Sequence, residues 1–128
     1  MTFNFMTLDA LKESFAHAWR GLRLAFASEK SFRLQTLAAA CVLLVVLLLP
    51  LHSWERVILL LATAAILVLE LVNSVVERLV DLFKPRLHSY VKDIKDLMAA
   101  AVLLSSAFAL VIGLLILLPY LAYLRRYL

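Results

Sequence analysis

Glycine is almost missing from this chain: Gly21 and Gly113 are the only two in 128 residues. Loops that cradle phosphate on backbone N–H groups need several glycines, so Walker A, dinucleotide-binding and protein-kinase loops are all excluded. Cysteine is scarcer still. Cys41 stands alone, which rules out a disulfide within the chain and a cysteine-based metal centre, and leaves it as a small apolar filler. Charge is absent over long stretches, with no Asp, Glu, Lys or Arg from Leu34 to Trp54 or from Leu97 to Leu124. The first 33 residues lack the long apolar run of a cleaved signal peptide, so this N-terminus is expected to stay on. No repeat, low-complexity segment or linker divides the chain, and residues 1–128 read as one unit.

What is abundant is apolar. A hydrophobic content of 65% and a mean hydropathy of +0.97 exceed what one soluble core uses, since soluble domains are nearer half apolar. The expected class is an all-α membrane protein. Each span needs roughly 20 apolar residues; the charge-free runs predict spans near 34–51 and 97–122, and the hydrophobic run from Val57 to about Phe83 predicts one near 57–83. Ahead of them, Leu8, Leu11, Phe15, Trp19, Leu22 and Phe26 recur at spacings of three and four. That predicts an amphipathic helix over 8–28, lying in the membrane surface.

Basic residues set the expected orientation. Lys12, Arg20, Arg23, Lys30, Arg33, Arg78, Lys84, Arg86, Lys92 and Lys95 fall on one side, against Arg56, Arg125 and Arg126 on the other. The N-terminus and the loop from Lys84 to Asp96 are therefore expected in the cytoplasm. Such residues serve insertion and anionic headgroups, so the net charge of +4 does not argue for nucleic acid.

The stretch "LELVNSVVERLVD", Leu69 to Asp81, ends the second span. At about 100° per residue, with Glu70 at zero, Asn73 falls near −60°, Glu77 near −20°, Asp81 near +20° and Ser74 near +40°. One polar arc thus runs down an otherwise apolar helix. Carboxylates in a bilayer are costly and mark function or a buried partner, and three on one arc call for bound cations or lysines. Glu29, at the junction of surface helix and first span, and Lys95 with Asp96, at the start of the third, reach the same interface. Glu29 and Glu77 together suit Mg²⁺, which takes one or two carboxylates and fills its shell with water and phosphate oxygens. Lys95 suits a phosphate.

These segments resemble a known family. "AWRGLRLAF", "SEKSFR", "ELVNSVVERLVD" and "KDLMAAAV" are similar, in the same order and at matching separations, to elements of the bacterial integral-membrane diacylglycerol kinases and their undecaprenol kinase relatives. The resemblance implies an ATP- and Mg²⁺-dependent phosphotransferase of the bacterial inner membrane, with active sites shared in a homotrimer. It implies that Glu70 is the general base, that Glu29 and Glu77 contact metal and nucleotide, and that Lys95 and Asp96 contact ATP. Asn73, Asp81 and Ser74 match polar residues of the same site, while His88 and His17 fall among the nucleotide contacts. Acceptor lipid is expected against Glu70, Arg23, Phe26, Ser31, Phe32, Arg33, Met98 and Ala99, with Val45, Leu48 and Trp54 in the apolar lining. The chain departs from the family pattern at Ala10, His17, Arg86 and Leu87.

A lipid alcohol keeps its hydroxyl near the headgroups while ATP stays in water, so transfer belongs at the interface, where the arc ends. A cation-coupled transporter, the competing class, would need ionisable groups across the whole bilayer. Neither Leu34 to Trp54 nor Leu97 to Leu124 supplies an Asp, Glu, Lys or Arg. A non-catalytic scaffold would need no acidic cluster. Diacylglycerol is the expected acceptor and undecaprenol the alternative.

Overall fold

A computed structural model describes residues 7–83 and 88–124. The chain runs as four helices, α1 Leu8–Ser28, α2 Lys30–Leu48, α3 Ser53–Asp81 and α4 His88–Leu124, and all regular structure among the described residues is helical. α2, α3 and residues Ser89–Tyr123 of α4 are long and apolar enough to cross a membrane. At 1.5 Å per residue the 29 residues of α3 extend roughly 43 Å, well beyond a hydrocarbon layer of about 30 Å. If its N-terminal end begins at one membrane face, its last turns, which carry the acidic arc, stand in the opposite interface.

Local chemistry explains the helix ends. The Thr7 hydroxyl accepts the Ala10 N–H at 3.4 Å to cap α1, and Asp9 sits in the first turn, where the helix dipole favours a negative charge. Between α1 and α2 a single residue, Glu29, leaves helical geometry, at φ −105° and ψ 109°. Its N–H still reaches the Ala25 carbonyl at 2.8 Å, and its carbonyl accepts the Arg33 N–H at 3.2 Å. The chain therefore turns without glycine or proline and with Glu29 fixed at the corner. Pro50 ends α2, because the residue before a proline is driven out of the α region, and Leu49 is extended. α3 begins with the Glu55 carboxylate accepting the His52 N–H at 2.8 Å, a reach-back that satisfies an orphan donor at the helix start. α4 continues through Pro119 to Leu124.

The tightest packing gathers at one end of the bundle. Val46, Leu51, Leu59 and Ile116 are buried there, with Val42, Ile112 and Tyr120 against them. Glu55 is buried beside this cluster and accepts the Tyr120 hydroxyl at 2.5 Å. This bond joins the first turn of α3 to the last turns of α4. Elsewhere, Phe32 and Val91 apart, the large apolar side chains are mostly half-buried or exposed, as expected where lipid replaces the core as apolar solvent. Tyr120→Phe leaves a buried carboxylate short of a donor, and the expected result is a lower thermal unfolding midpoint in micelles. An unaltered midpoint would show that the bond adds nothing to cohesion.

Two boundaries differ from the sequence reading. α3 starts at Ser53 rather than near 57, since "SWER" caps and opens the helix ahead of the apolar run. The expected loop from Lys84 to Asp96 is helical from His88 onward. Val91 is buried, and Lys95 and Met98 are half-buried, at spacings of four and three, so a helical face exists there that a search for apolar runs passes over. Residues 84–87 and the side chain of His88 lie outside the described set, as do Arg125 and Arg126.

Candidate active site

The other end of the bundle is polar. It is formed by the α1–α2 corner, the last three turns of α3 and the first turns of α4, and the acidic arc on α3 meets a different partner at each step.

Glu70 is the most enclosed residue of the arc, 4% exposed. Its Oε1 accepts the Ser31 hydroxyl at 2.6 Å across the α2–α3 contact. One turn on, the buried Ser74 hydroxyl donates to the Glu70 carbonyl at 3.0 Å, which leaves the carboxylate itself to Ser31. Asn73 donates through Nδ2 to Glu77 Oε1 at 3.1 Å. A carboxylate only accepts, so this bond fixes the amide and turns Oδ1 away, where it is buried with no hydrogen-bond partner. Such an orphaned oxygen calls for a bound group.

At the corner, Arg78 Nη2 donates to Glu29 Oε1 at 3.0 Å and to the Ser28 hydroxyl at 2.7 Å. The Ser28 hydroxyl also lies 2.7 Å from the Leu24 carbonyl and 3.2 Å from Glu29 Oε1. Lys95 Nζ donates to Asp81 Oδ1 at 2.6 Å and ties α4 to the end of α3. Glu70 with Ser31, Asn73 with Glu77, Glu29 with Arg78 and Asp81 with Lys95 are thus linked in four local pairs along the same end of the bundle. Asp96 is exposed on α4, beside Lys95 in sequence.

Other expected residues fall differently. His17 is held within α1, its Nδ1 2.8 Å from Arg20 Nη2 and its Nε2 3.6 Å from Glu13. Eleven residues before the end of α1, it stands roughly 16 Å along the helix from the corner, so the structure does not bring it to the acidic arc. Arg23 stacks over Trp19, 5.6 Å from the ring centroid. Arg33 donates to the Ala27 carbonyl at 3.3 Å and buttresses the corner. Phe32 is buried, whereas Phe26 and Ala99 are exposed and Met98 is half-buried.

Arg78 is the residue that the sequence reading missed. It counted there only towards orientation, yet at about 80° from Glu70 on the helical wheel it borders the arc, which was the available signal. The expected compensators of the carboxylates were lysines or bound cations; one of them is this arginine.

Among the described residues no three His, Cys, Asp or Glu side chains gather closely enough to hold a metal alone. Glu29, Glu77 and Asn73 nonetheless each carry an oxygen donor at this end of the bundle. That is the chemistry Mg²⁺ accepts when phosphate and water complete its shell.

Comparison with known proteins identifies the family. The model of the family described as prokaryotic diacylglycerol kinase matches residues 16–117, which include every polar residue of this end of the bundle from Ser28 to Asp96. A diacylglycerol kinase of Synechocystis sp. is 37% identical over 83% of the chain, which spans 61% of that protein's length. An undecaprenol kinase of Bacillus subtilis is 36% identical over 88% of the chain and 91% of its own length. A diacylglycerol kinase of Escherichia coli is 28% identical over 74% of the chain and 78% of its own length. The chain belongs to the prokaryotic diacylglycerol kinase family of lipid kinases.

Proposed function

We propose that this membrane protein transfers the γ-phosphoryl group of ATP to the terminal hydroxyl of a membrane lipid alcohol, with diacylglycerol as acceptor and phosphatidic acid as product. One observation carries the reading: the enclosed Glu70 carboxylate already accepts a hydroxyl at 2.6 Å, the contact a general base makes with an alcohol it activates. Glu70 takes the acceptor's proton as its oxygen attacks the phosphorus and the bond to the β-phosphate oxygen breaks. Asn73, through its free Oδ1, orients the groups between Glu70 and Glu77. Glu29 and Glu77 are the residues to hold Mg²⁺, which when bound screens the phosphate charge. Lys95 and Asp96 face the nucleotide, and Lys95 exchanges Asp81 for a phosphate oxygen. Phosphoryl transfer demands little covalent chemistry of a protein, so positioning and charge supply most of the rate.

The same reading puts α1 in the membrane surface, where Leu8, Phe15 and Trp19 are all exposed. The polar end faces the cytoplasm of a bacterial inner membrane, and a homotrimer supplies the cover that three helices cannot give the arc.

The 36% identity to an undecaprenol kinase across 91% of that relative's length favours a second acceptor, undecaprenol. Side-by-side assays of both alcohols in mixed micelles with MgATP decide between them. Phosphorylation of neither would overturn the kinase reading.

Lys95→Met keeps the stem's packing and removes the charge. The expected outcome is an apparent ATP affinity lower by about tenfold, taking the loss of one charge-assisted phosphate contact as about 1.5 kcal/mol, with the lipid dependence unchanged. A variant that loses lipid affinity instead would contradict the assignment.

A further inference from the structure

We infer that Ser31 is itself a phosphoacceptor, modified by the chain's own active site when no lipid hydroxyl is in place. The inference rests on the kinase reading above and adds a modification site to it. The hydroxyl that Glu70 holds belongs to Ser31, with Oγ 2.6 Å from Oε1. A base positioned to remove a proton from an alcohol acts on whichever alcohol occupies that contact. Ser31 is on the open side of the pair: it is exposed while Glu70 is buried, so a phosphate donor can approach Oγ without parting α2 from α3. It also opens α2 two residues beyond Glu29, at the same corner of the fold.

The step balances without a further reactant. The bond between the γ-phosphorus and the β-phosphate oxygen of ATP breaks, and a bond between that phosphorus and Ser31 Oγ forms. The hydroxyl proton passes to Glu70 Oε1, and ADP leaves. The product is a phosphoserine in the first turn of α2, where the helix N-terminus favours added negative charge and the neighbouring Glu70 carboxyl, protonated by the transfer, must stay neutral to tolerate it. A phosphoserine there also occupies the position of the lipid hydroxyl and takes the base out of use, so the modified chain is inactive until it is dephosphorylated.

The test uses the full chain in detergent micelles with Mg²⁺ and ATP and no added lipid alcohol, followed by intact mass measurement and peptide mapping. The expected result is one phosphoryl group on Ser31. It is absent in Ser31→Ala, retained on the hydroxyl in Ser31→Thr, slowed by about 10² to 10⁴ in Glu70→Gln, and suppressed by saturating lipid alcohol. An unmodified chain that still phosphorylates lipid overturns this inference and leaves the kinase reading standing. Label on Ser28 instead, or modification indifferent to lipid, overturns the assignment to this contact. A chain that modifies neither itself nor lipid overturns both readings together.

Discussion

Glu70→Gln is expected to lower lipid phosphorylation by about 10² to 10⁴, the usual contribution of a general base, while the chain folds and binds MgATP as before. The warrant is local. Glu70 is enclosed at the contact of α2 and α3, and Oε1 is already engaged by a hydroxyl. Glutamine preserves the shape and still accepts a hydrogen bond from Ser31, but it cannot carry away a proton, so binding and chemistry separate. Calorimetric titration with MgATP gives the first quantity and single-turnover phosphorylation of micellar diacylglycerol gives the second. If ATP binding collapsed along with turnover, Glu70 would be a metal or structural carboxylate, and the base would have to be sought at Asp96 or Asp81.

Glu29→Gln and Glu77→Gln are expected to raise the Mg²⁺ concentration needed for half-maximal activity by about 10- to 100-fold each, the range measured when a partner that tunes a bound metal is removed. Each substitution takes one hard anionic oxygen from the proposed donor set, and excess Mg²⁺ partly restores the rate. Their side effects differ. Glu29→Gln also weakens the tie from Arg78 to the corner between α1 and α2, whereas Glu77→Gln disturbs only the clamp from Asn73 within α3. Glu29→Gln should therefore lose more thermal stability than Glu77→Gln at equal Mg²⁺. Unchanged Mg²⁺ dependence in both variants would remove the two carboxylates from the metal.

The parts of this architecture that the sequence made legible are those set by local periodicity. Long apolar runs give α2, α3 and α4 as membrane-length helices, and a spacing of three and four collects Glu70, Asn73, Glu77 and Asp81 on one face. Pairing across helices was not readable in the same way. Lys95 and Asp81 each looked like a site residue, but their contact depends on α4 starting at His88, inside a stretch too polar to stand out as an apolar run. The grip of Arg78 on Glu29 depends on the one-residue corner bringing α1 back against α3, fifty residues on from Ser28. The bond from Ser31 to Glu70 is of the same kind, since proximity in space had no counterpart in spacing along the chain. His17, expected among the nucleotide contacts, stays with Arg20 and Glu13 on α1 because the helix carries it away from the corner.

The placement of the packed cluster at the Glu55–Tyr120 end, away from Glu70, has an evolutionary consequence. The bundle resembles a tuning fork, joined by the apolar cluster where Val46, Leu51, Leu59 and Ile116 meet and held between its tines, where the phosphoryl chemistry is proposed, by polar ties and the separately buried Phe32 and Val91. Substitutions between the tines alter what fits between them at little cost to the joint, because few buried side chains are shared by the two ends. On the proposed reading, a lineage can therefore exchange one lipid alcohol for another through changes near Phe26, Met98 and Ala99 without passing through unfolded intermediates. Selection experiments for acceptor preference should collect mutations at the polar end and leave the joint untouched.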